Sequence, residues 1–501
     1  MQMEAMHWAQ ETFGEAHLGD VRRTRRLVRL AAQMVEDPEG SLPRQTQGDW
    51  SDLKAAYRLL RADGVSHAAI SQPHWQQSRR LAEHEAEVLL VHDDTDLDYG
   101  YQSEREGLGP IGNGSHRGLL VHSVLALVPV GDEERVLGLV AQTPWVRRPA
   151  ERQNDGRKPT SRQRQERERE SAVWWHSVEA VGRPPAGQRW IHVGDRYADM
   201  LPFLQSCKRL GTDFVVRAAQ NRRLWSETEP EASVEHLLDE ARSWSAQAAG
   251  TIEVASEHDR RARQAHVLLS WGQVWLRETD SHGRPKRGSQ PLLVQVVRVW
   301  EPQPPSQAEG YREHATPSKH GHGRRAQHRS QDPEQEPVEA LEWILLSSLP
   351  VDDEAQAWHL VRIYQARWLI EDFHRGLKSG CRLEWARLQE ERSLENLLAI
   401  CSPIAVHLLT LRELARLHPE EPACDWVGPH EVQLVAAQAQ QPVEAMTVRQ
   451  YVRQVAQLGG FLGRKSDGEP GWQTLWQGWL RVQWMVTGMR FVASAAPAPP
   501  P

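Results

Sequence analysis

Residues 363–380 read IYQARWLIEDFHRGLKSG, and this stretch limits the fold more tightly than any other in the chain. At roughly 100° per residue of a helix, Tyr364, Arg367, Glu371 and Lys378 fall within an arc of about 60°. Ile363, Leu369, Ile370, Phe373 and Leu377 gather on a different face. The spacing predicts one amphipathic helix that packs on its apolar side and presents an acid, two bases and a phenol together. A carboxylate flanked by phosphate-binding donors is what metal-dependent phosphoryl transfer requires: the acid holds the metal and the bases hold a backbone. The same spacing also suits a solvated face with ordinary ion pairs three and four residues apart. The rest of the chain has to decide.

Two further acids sit where strands are expected to end. In EVLLVHDDTDLDYGY (87–101) an apolar run, Val88 to Val91, stops abruptly at Asp93, Asp94, Asp96 and Asp98. In QRWIHVGDRYADMLPFL (188–204) a strand over 190–193 gives way at Gly194 to Asp195 and then to a helix carrying Met200, Leu201 and Leu204. A buried strand delivering a carboxylate at its end is a common way to place a metal ligand, although acidic turns after strands are frequent. The runs LLVHSVLALVPV and VLGLVAQTPW, joined by GDEER, read as an antiparallel hairpin, and DFVVRAA (213–219) reads as another strand.

The chain is long enough, at 501 residues, for two to four domains. Residues 1–70 read as a helical domain. Within it VRRTRRLVRLAAQMV places Leu27, Leu30, Ala31 and Met34 on one stripe, with Arg22, Arg23, Arg25, Arg26 and Arg29 near the helix start, an arrangement suited to phosphate. Residues 71–220 form the first part of an α/β core, and 221–345 a β-rich insertion. Residues 301–338 form a mobile polar tract there, whose HGHG at 320–323 offers a weak metal signal. The core resumes over 346–390, helices follow over 391–493, and 494–501 is a disordered tail. Trp472, Trp476 and Trp479 share one helix face, for core or interface packing.

Composition excludes several classes. No stretch is expected to span a membrane, and residues 1–20 lack a leader pattern. Cys207, Cys381, Cys401 and Cys424 show no paired spacing and read as reduced thiols of a cytoplasmic protein. The net charge of −7 hides local basic clusters, and it is the local surface that meets phosphates.

Asp93, Asp195 and Glu371 can meet only through a shared sheet, which a ribonuclease H-like fold supplies. The chain resembles the DDE transposases of the insertion-sequence-four family, in the transposon-five transposase group. That family's third acid lies in Tyr, two residues, Arg, three residues, Glu, six residues, Lys, which Tyr364, Arg367, Glu371 and Lys378 reproduce. Asp93-Asp94-Thr95-Asp96-Leu97-Asp98-Tyr99 is similar to the first-acid strand, and DRYAD at 195–199 to the second. The likeness runs from WAQETF and LGDVRR near the N-terminus to LGGFLGRK and the tryptophan stripe. One departure is Asp94, which replaces the family's threonine, so two adjacent acids compete. Register from Thr95, Leu97 and Tyr99 favours Asp93.

The resemblance implies that Asp93, Asp195 and Glu371 bind two Mg2+ ions, with Mn2+ able to substitute. It implies DNA contacts from Tyr364, Arg367, Lys378 and Arg217, a base-stacking role for Trp343, and element-end binding by Arg22, Arg23, Arg25 and Arg26. Double-stranded DNA is the implied partner, with a homodimer in the DNA complex, no membrane, and a prokaryotic cytoplasmic setting. The implied reaction is cut-and-paste transposition through a DNA hairpin. A silent DNA-binding relative, and a nuclease that never joins strands, are the alternatives.

Overall fold

The computed structural model describes residues 5–101, 103–147, 170–225, 235–254, 261–279, 286, 288–306, 338–464 and 468–495. The HGHG sequence, most of the 301–338 tract and residues 496–501 of the tail lie outside the described residues. The chain groups into two compact units, Met1–Trp190 with Arg367–Pro501, and Ile191–Ala366. Residues 191–220 thus group with the β-rich segment, whereas the sequence reading placed them with the first strands.

The first unit begins with α1 (Ala5–Phe13), α2 (Val21–Glu36), α3 (Leu42–Gln45) and α4 (Trp50–Arg61). Asp20 caps α2 by accepting from the Arg22 backbone N–H at 2.8 Å, and Asp49 caps α4 through the Asp52 N–H at 3.0 Å. Each cap satisfies a donor that the helix itself leaves unpaired. Leu27, Leu30, Ala31 and Met34 are buried, so the predicted stripe of α2 is core.

After α5 (His67–Ala82) come β1 (Glu87–Tyr101), β2 (Gly109–Ile111), β3 (His116–Val130) and β4 (Glu133–Trp145). All pairings are antiparallel: β3 has β1 on one edge, with β2 and then β4 along the other. The predicted hairpin is β3–β4. The predicted end of the first strand is corrected, because β1 does not stop at the acids. Asp93, Asp94, Asp96 and Asp98 pair in register with Ser123, His122, Leu120 and Gly118. Ladder pairing to a long neighbour carries the strand through a run whose composition alone reads as a turn. The even face, Val88 and Leu90, joins Val124, Ala126, Val181 and Trp190 in one core cluster. Each such side chain contributes about 1.5–3 kcal/mol when buried. Helix α6 (Ala172–Val181) covers β3 and β4.

The second unit holds β5 (Arg189–Gly194, its first two residues grouped with the first unit), α7 (Leu201–Leu210), β6 (Asp213–Arg217), α8 (Leu237–Ser243), β7 (Ala248–Val254), β8 (Arg263–Leu276), β9 (Leu292–Trp300), β10 (Glu342–Ser347) and α9 (Glu354–Gln365). Its strands run in the order β5-β6-β10-β9-β8-β7. Only β5 and β6 are parallel, as the intervening α7 permits, and the rest are antiparallel. The expected β-rich segment is the meander β7-β8-β9.

The single helix predicted over 363–380 is three pieces. Helix α9 ends at Gln365, α10 spans Trp368–Arg375, and Gly376–Gly380 is a π turn closed by the Cys381 N–H on the Gly376 carbonyl at 2.8 Å. The chain passes from one unit to the other between Ala366 and Arg367, so the two halves bury their apolar faces in different cores. The π turn also has a steric cause. A Cβ on Gly376 would lie 3.4 Å from the Trp472 ring, and one on Gly380 would lie 3.2 Å from it. Small residues let the aromatic pack directly on the turn.

Behind α10 stands α11 (Glu391–Leu417), followed by α12 (Pro429–Gln438), α13 (Val448–Leu458) and α14 (Trp472–Ala495). Contrary to the sequence expectation, α11 is long and apolar enough to cross a membrane, but 82% of its most apolar window is buried inside the protein. It is a core helix. Trp472, Trp476 and Trp479 of α14 are buried, with neighbouring rings stacked at 6.0 and 5.3 Å, which assigns that stripe to the core of its own chain.

One buried acid on α11 makes a pH-dependent prediction. Burial pushes the Glu413 carboxyl up to about 7, opposed by the Val136 N–H it accepts at 3.1 Å and by Arg135. An acid whose folded pKa is raised contributes stability in full below its unfolded value and loses it as pH rises through the folded one. Glu413→Gln keeps the acceptor for Val136. It is expected to stabilise the protein by about 1–3 kcal/mol at pH 8 and by close to nothing at pH 4. The difference in Tm from wild type at the two pH values measures this.

Candidate active site

Alternation along β1 sends Asp93 and Asp94 to opposite faces. Asp93 Oδ2 lies 3.6 Å from His374 Nδ1 and 3.9 Å from Arg367 Nη1, on the side covered by α10. Asp94 faces α6: it accepts from His122 Nδ1 at 2.6 Å and from Trp174 Nε1 at 2.9 Å. Which of these acids turns toward α10, open in the sequence, follows from which helix covers which face.

Helix α10 supplies the opposite wall. Arg367 Nη2 donates to Glu371 Oε1 at 2.7 Å while its Nη1 approaches Asp93, so one guanidinium stands between the two carboxylates. Sequence reasoning assigned Arg367 to a DNA backbone; here its side chain is 10% exposed and engaged with the acids. Glu371 is 33% exposed. Lys378, on the π turn, lies 4.0 Å from Glu384, whose carboxyl burial pushes up despite the Asp98 N–H it accepts at 2.9 Å.

His374 is a residue that sequence reasoning passed over. Burial, helped by Lys378, His122 and Arg367, holds it down at about 3, so it is neutral at pH 7. Its Nε2 has no hydrogen-bond partner among the described residues. Three residues beyond Glu371 and seven beyond Arg367, it shares their face, and that spacing was the available signal.

In the second unit, Asp195 caps the short 3-10 turn Arg196–Ala198 by accepting from the Tyr197 N–H at 2.8 Å. The second acid of DRYAD has a different occupation. Asp199 is fully buried, accepts from the Ala219 and Gln220 N–H groups at 2.7 and 2.8 Å, and pairs with Arg222. It ties the segment after β6 to the end of β5. Arg217 donates to the Glu342 carbonyl at 2.7 Å. Trp343, expected to receive a base, is only 9% exposed and meets Tyr364 edge-to-face at 5.1 Å. Trp368 is exposed, at 46%, with the Arg367 guanidinium 5.0 Å above its ring, and so is Trp385, at 72%.

The N-terminal arginines divide as well. Arg22 bonds Asp20, and Arg26 and Arg29 both bond the buried Asp52, whose carboxyl Arg26 foremost holds below its ordinary value. Arg25 stays exposed and Arg23 reaches the Leu18 carbonyl at 3.1 Å. A cleft of about 590 Å³ opens beside Arg23, lined on α4 by Trp50, Lys54, Tyr57, Arg58 and Arg61. Lys54, Arg58 and Arg61 recur at four- and three-residue spacing and are all exposed, with Trp50 one turn earlier at 72%. The spacing KxxxRxxR, sparser than the arginines of α2, is the sequence signal for this stripe.

Asp93 and Glu371 offer carboxylate oxygens, donors of the kind a hard divalent cation takes, and the guanidinium between them marks a place where positive charge is favoured. Among the described residues no group of three or more His, Cys, Asp or Glu is gathered closely enough to hold an ion. Three family models match the chain. They are Transposase DNA-binding over residues 5–65, Transposase DDE domain over 191–408, and Transposase Tn5 dimerisation domain over 403–498. The DDE match takes in Asp195 and Glu371 but begins beyond Asp93.

Proposed function

Since the chain belongs to the Tn5-type DDE transposases, enzymes of metal-dependent DNA phosphoryl transfer, we propose that it binds the inverted repeats ending its element, cuts there through a DNA hairpin, and joins the freed 3′ ends to target DNA. The observation that carries this reading is the approach of one guanidinium, Arg367, to Asp93 from a strand and Glu371 from a helix. The antiparallel β4-β3-β1 set followed by a parallel β5–β6 pair is consistent with a ribonuclease H-like core.

Asp93, Asp195 and Glu371 would hold two Mg2+ ions, and Mn2+ satisfies the same oxygen donors. Bound metal supplies the Lewis acidity that activates the attacking water or 3′-hydroxyl and stabilises the leaving oxygen. Arg367 holds the carboxylates oriented, and neutral His374 backs Asp93 without adding a competing charge. Lys378 contacts the DNA backbone, whereas Tyr364, expected to join it, is 3% exposed and packs on Trp343. For stacking an unpaired base, exposed Trp368 suits better than Trp343, at about 1–3 kcal/mol per base. A homodimer forms in the DNA complex, using the exposed Trp484, Met485 and Met489 of α14.

End recognition draws first on Arg23, Arg25, Lys54 and Arg58, since Arg22, Arg26 and Arg61 are engaged in ion pairs with Asp20, Asp52 and Glu390. The test incubates the protein with its element ends and Mg2+. Nicks, hairpins and joined products are expected. End binding without any nick would indicate a silent relative, and cleavage without joining a plain nuclease. Lys54→Ala and Arg58→Ala should each weaken end binding and lower the slope of log affinity against log salt by about 1.

A further inference from the structure

Asp94 lies next to the proposed metal ligand, yet both its oxygens are occupied on the far side of the strand. Oδ2 accepts from Trp174 Nε1 at 2.9 Å, and Oδ1 from His122 Nδ1 at 2.6 Å. The chain continues: His122 Nε2 meets His92 Nδ1 at 3.1 Å. One proton on each ring satisfies it, His122 Nδ1–H donating to Asp94 and His92 Nδ1–H donating to His122. His92 and His122 are fully buried and Trp174 nearly so. The Trp174 ring packs edge-on to His122 at 4.7 Å and stacks on His92 at 6.1 Å. Four side chains from α6, β1 and β3 thus form one polar chain, buried except at Asp94, which is 28% exposed and is satisfied by two N–H donors.

A strand with acids at consecutive positions has a register hazard. A slip of one residue exchanges which of them faces a given side. The buried chain removes the alternative, because turning Asp94 to the α10 side would strand the Trp174 and His122 donors. We propose that Asp94 is a positioning residue. Held by Trp174 and His122, it fixes the register of β1 and turns Asp93 toward Arg367 and Glu371, touching neither metal nor DNA itself. The inference rests on the reading of Asp93 as a metal ligand.

Iron-directed backbone cleavage tests it without DNA or turnover. Fe2+ with ascorbate and peroxide cuts the polypeptide next to the ion, and the fragments are mapped. Wild type is expected to be cut beside residue 93, and Asp93→Ala to lose that cut. Trp174→Phe keeps the packed ring but removes the N–H. Trp174→Phe and Asp94→Ala should keep the cut in place while raising half-saturating Fe2+ by about ten- to a hundredfold, as loss of outer-sphere support does elsewhere. The double variant should be no worse than Asp94→Ala alone. A cut retained in Asp93→Ala and lost in Asp94→Ala would make Asp94 the ligand and overturn the proposal. So would a wild-type iron titration in Trp174→Phe, even with a lowered Tm, since that would be stability without positioning. If wild type is not cut near residue 93, the metal reading of Asp93 itself fails.

Discussion

Alanine at Asp93, at Asp195 or at Glu371 is expected to reduce nicking of element-end DNA at least about a thousandfold, a loss of about 4 kcal/mol or more of transition-state stabilisation. A carboxylate that holds a divalent ion cannot be replaced by water without losing both the charge and the geometry it imposes. End binding should survive in all three, because the matched DNA-binding region spans 5–65 and its basic stripe on α4 is remote in sequence from each acid. Gel shifts at fixed salt and single-turnover nicking, measured on the same preparations, separate the two properties. The three variants should also be non-additive: once one ligand is gone, removing a second costs little more. Full nicking by any one of them would remove that residue from the set. Glu371→Ala has a second consequence, since Arg367 loses its 2.7 Å partner and keeps the looser approach to Asp93.

The second large effect is structural. Helices α13 and α14 pack so closely that a Cβ on Gly478 would fall inside the van der Waals envelope of the Val455 carbonyl oxygen. A Cβ on Gly459 would likewise overlap the Thr474 carbonyl. In each case the obstacle is backbone, which cannot rotate aside as a flexible side chain can. Gly478→Ala must therefore push the helices apart, at about 2–4 kcal/mol, more than the gain in helix propensity of about 1 kcal/mol that alanine brings. Both glycines lie in the region matched to the Tn5 dimerisation domain. The expected result is a lower Tm, faster proteolysis after residue 458 and weaker self-association, with end-DNA binding by the N-terminal helices spared. A Tm equal to wild type would show that the helices do not cross this tightly.

Local pattern sufficed for a good part of this molecule. The strip of α2, the β3–β4 hairpin and the strand leading to Asp195 each follow from apolar spacing that a short window contains. The intervals among Tyr364, Arg367, Glu371 and Lys378 marked the acid-bearing segment for the same reason. Side chains at fixed helical offsets share a face whatever surrounds them.

Other features depended on partners distant in the chain. The segment 363–380 breaks because its halves join different cores, and its last turn widens because Trp472 needs the room at Gly376 and Gly380. β1 runs through its acids because β3 pairs with them. Arg22 and Arg26 looked ready for phosphate, but their acidic partners, Asp20 and Asp52, are already in place within the domain.

Periodicity could list the acids and the bases, since it is a property of the backbone. Which of two adjacent aspartates faces Arg367 is a property of what covers each face of a strand. Only the folded chain brings Trp174 and His122 to one side of β1 and His374 to the other.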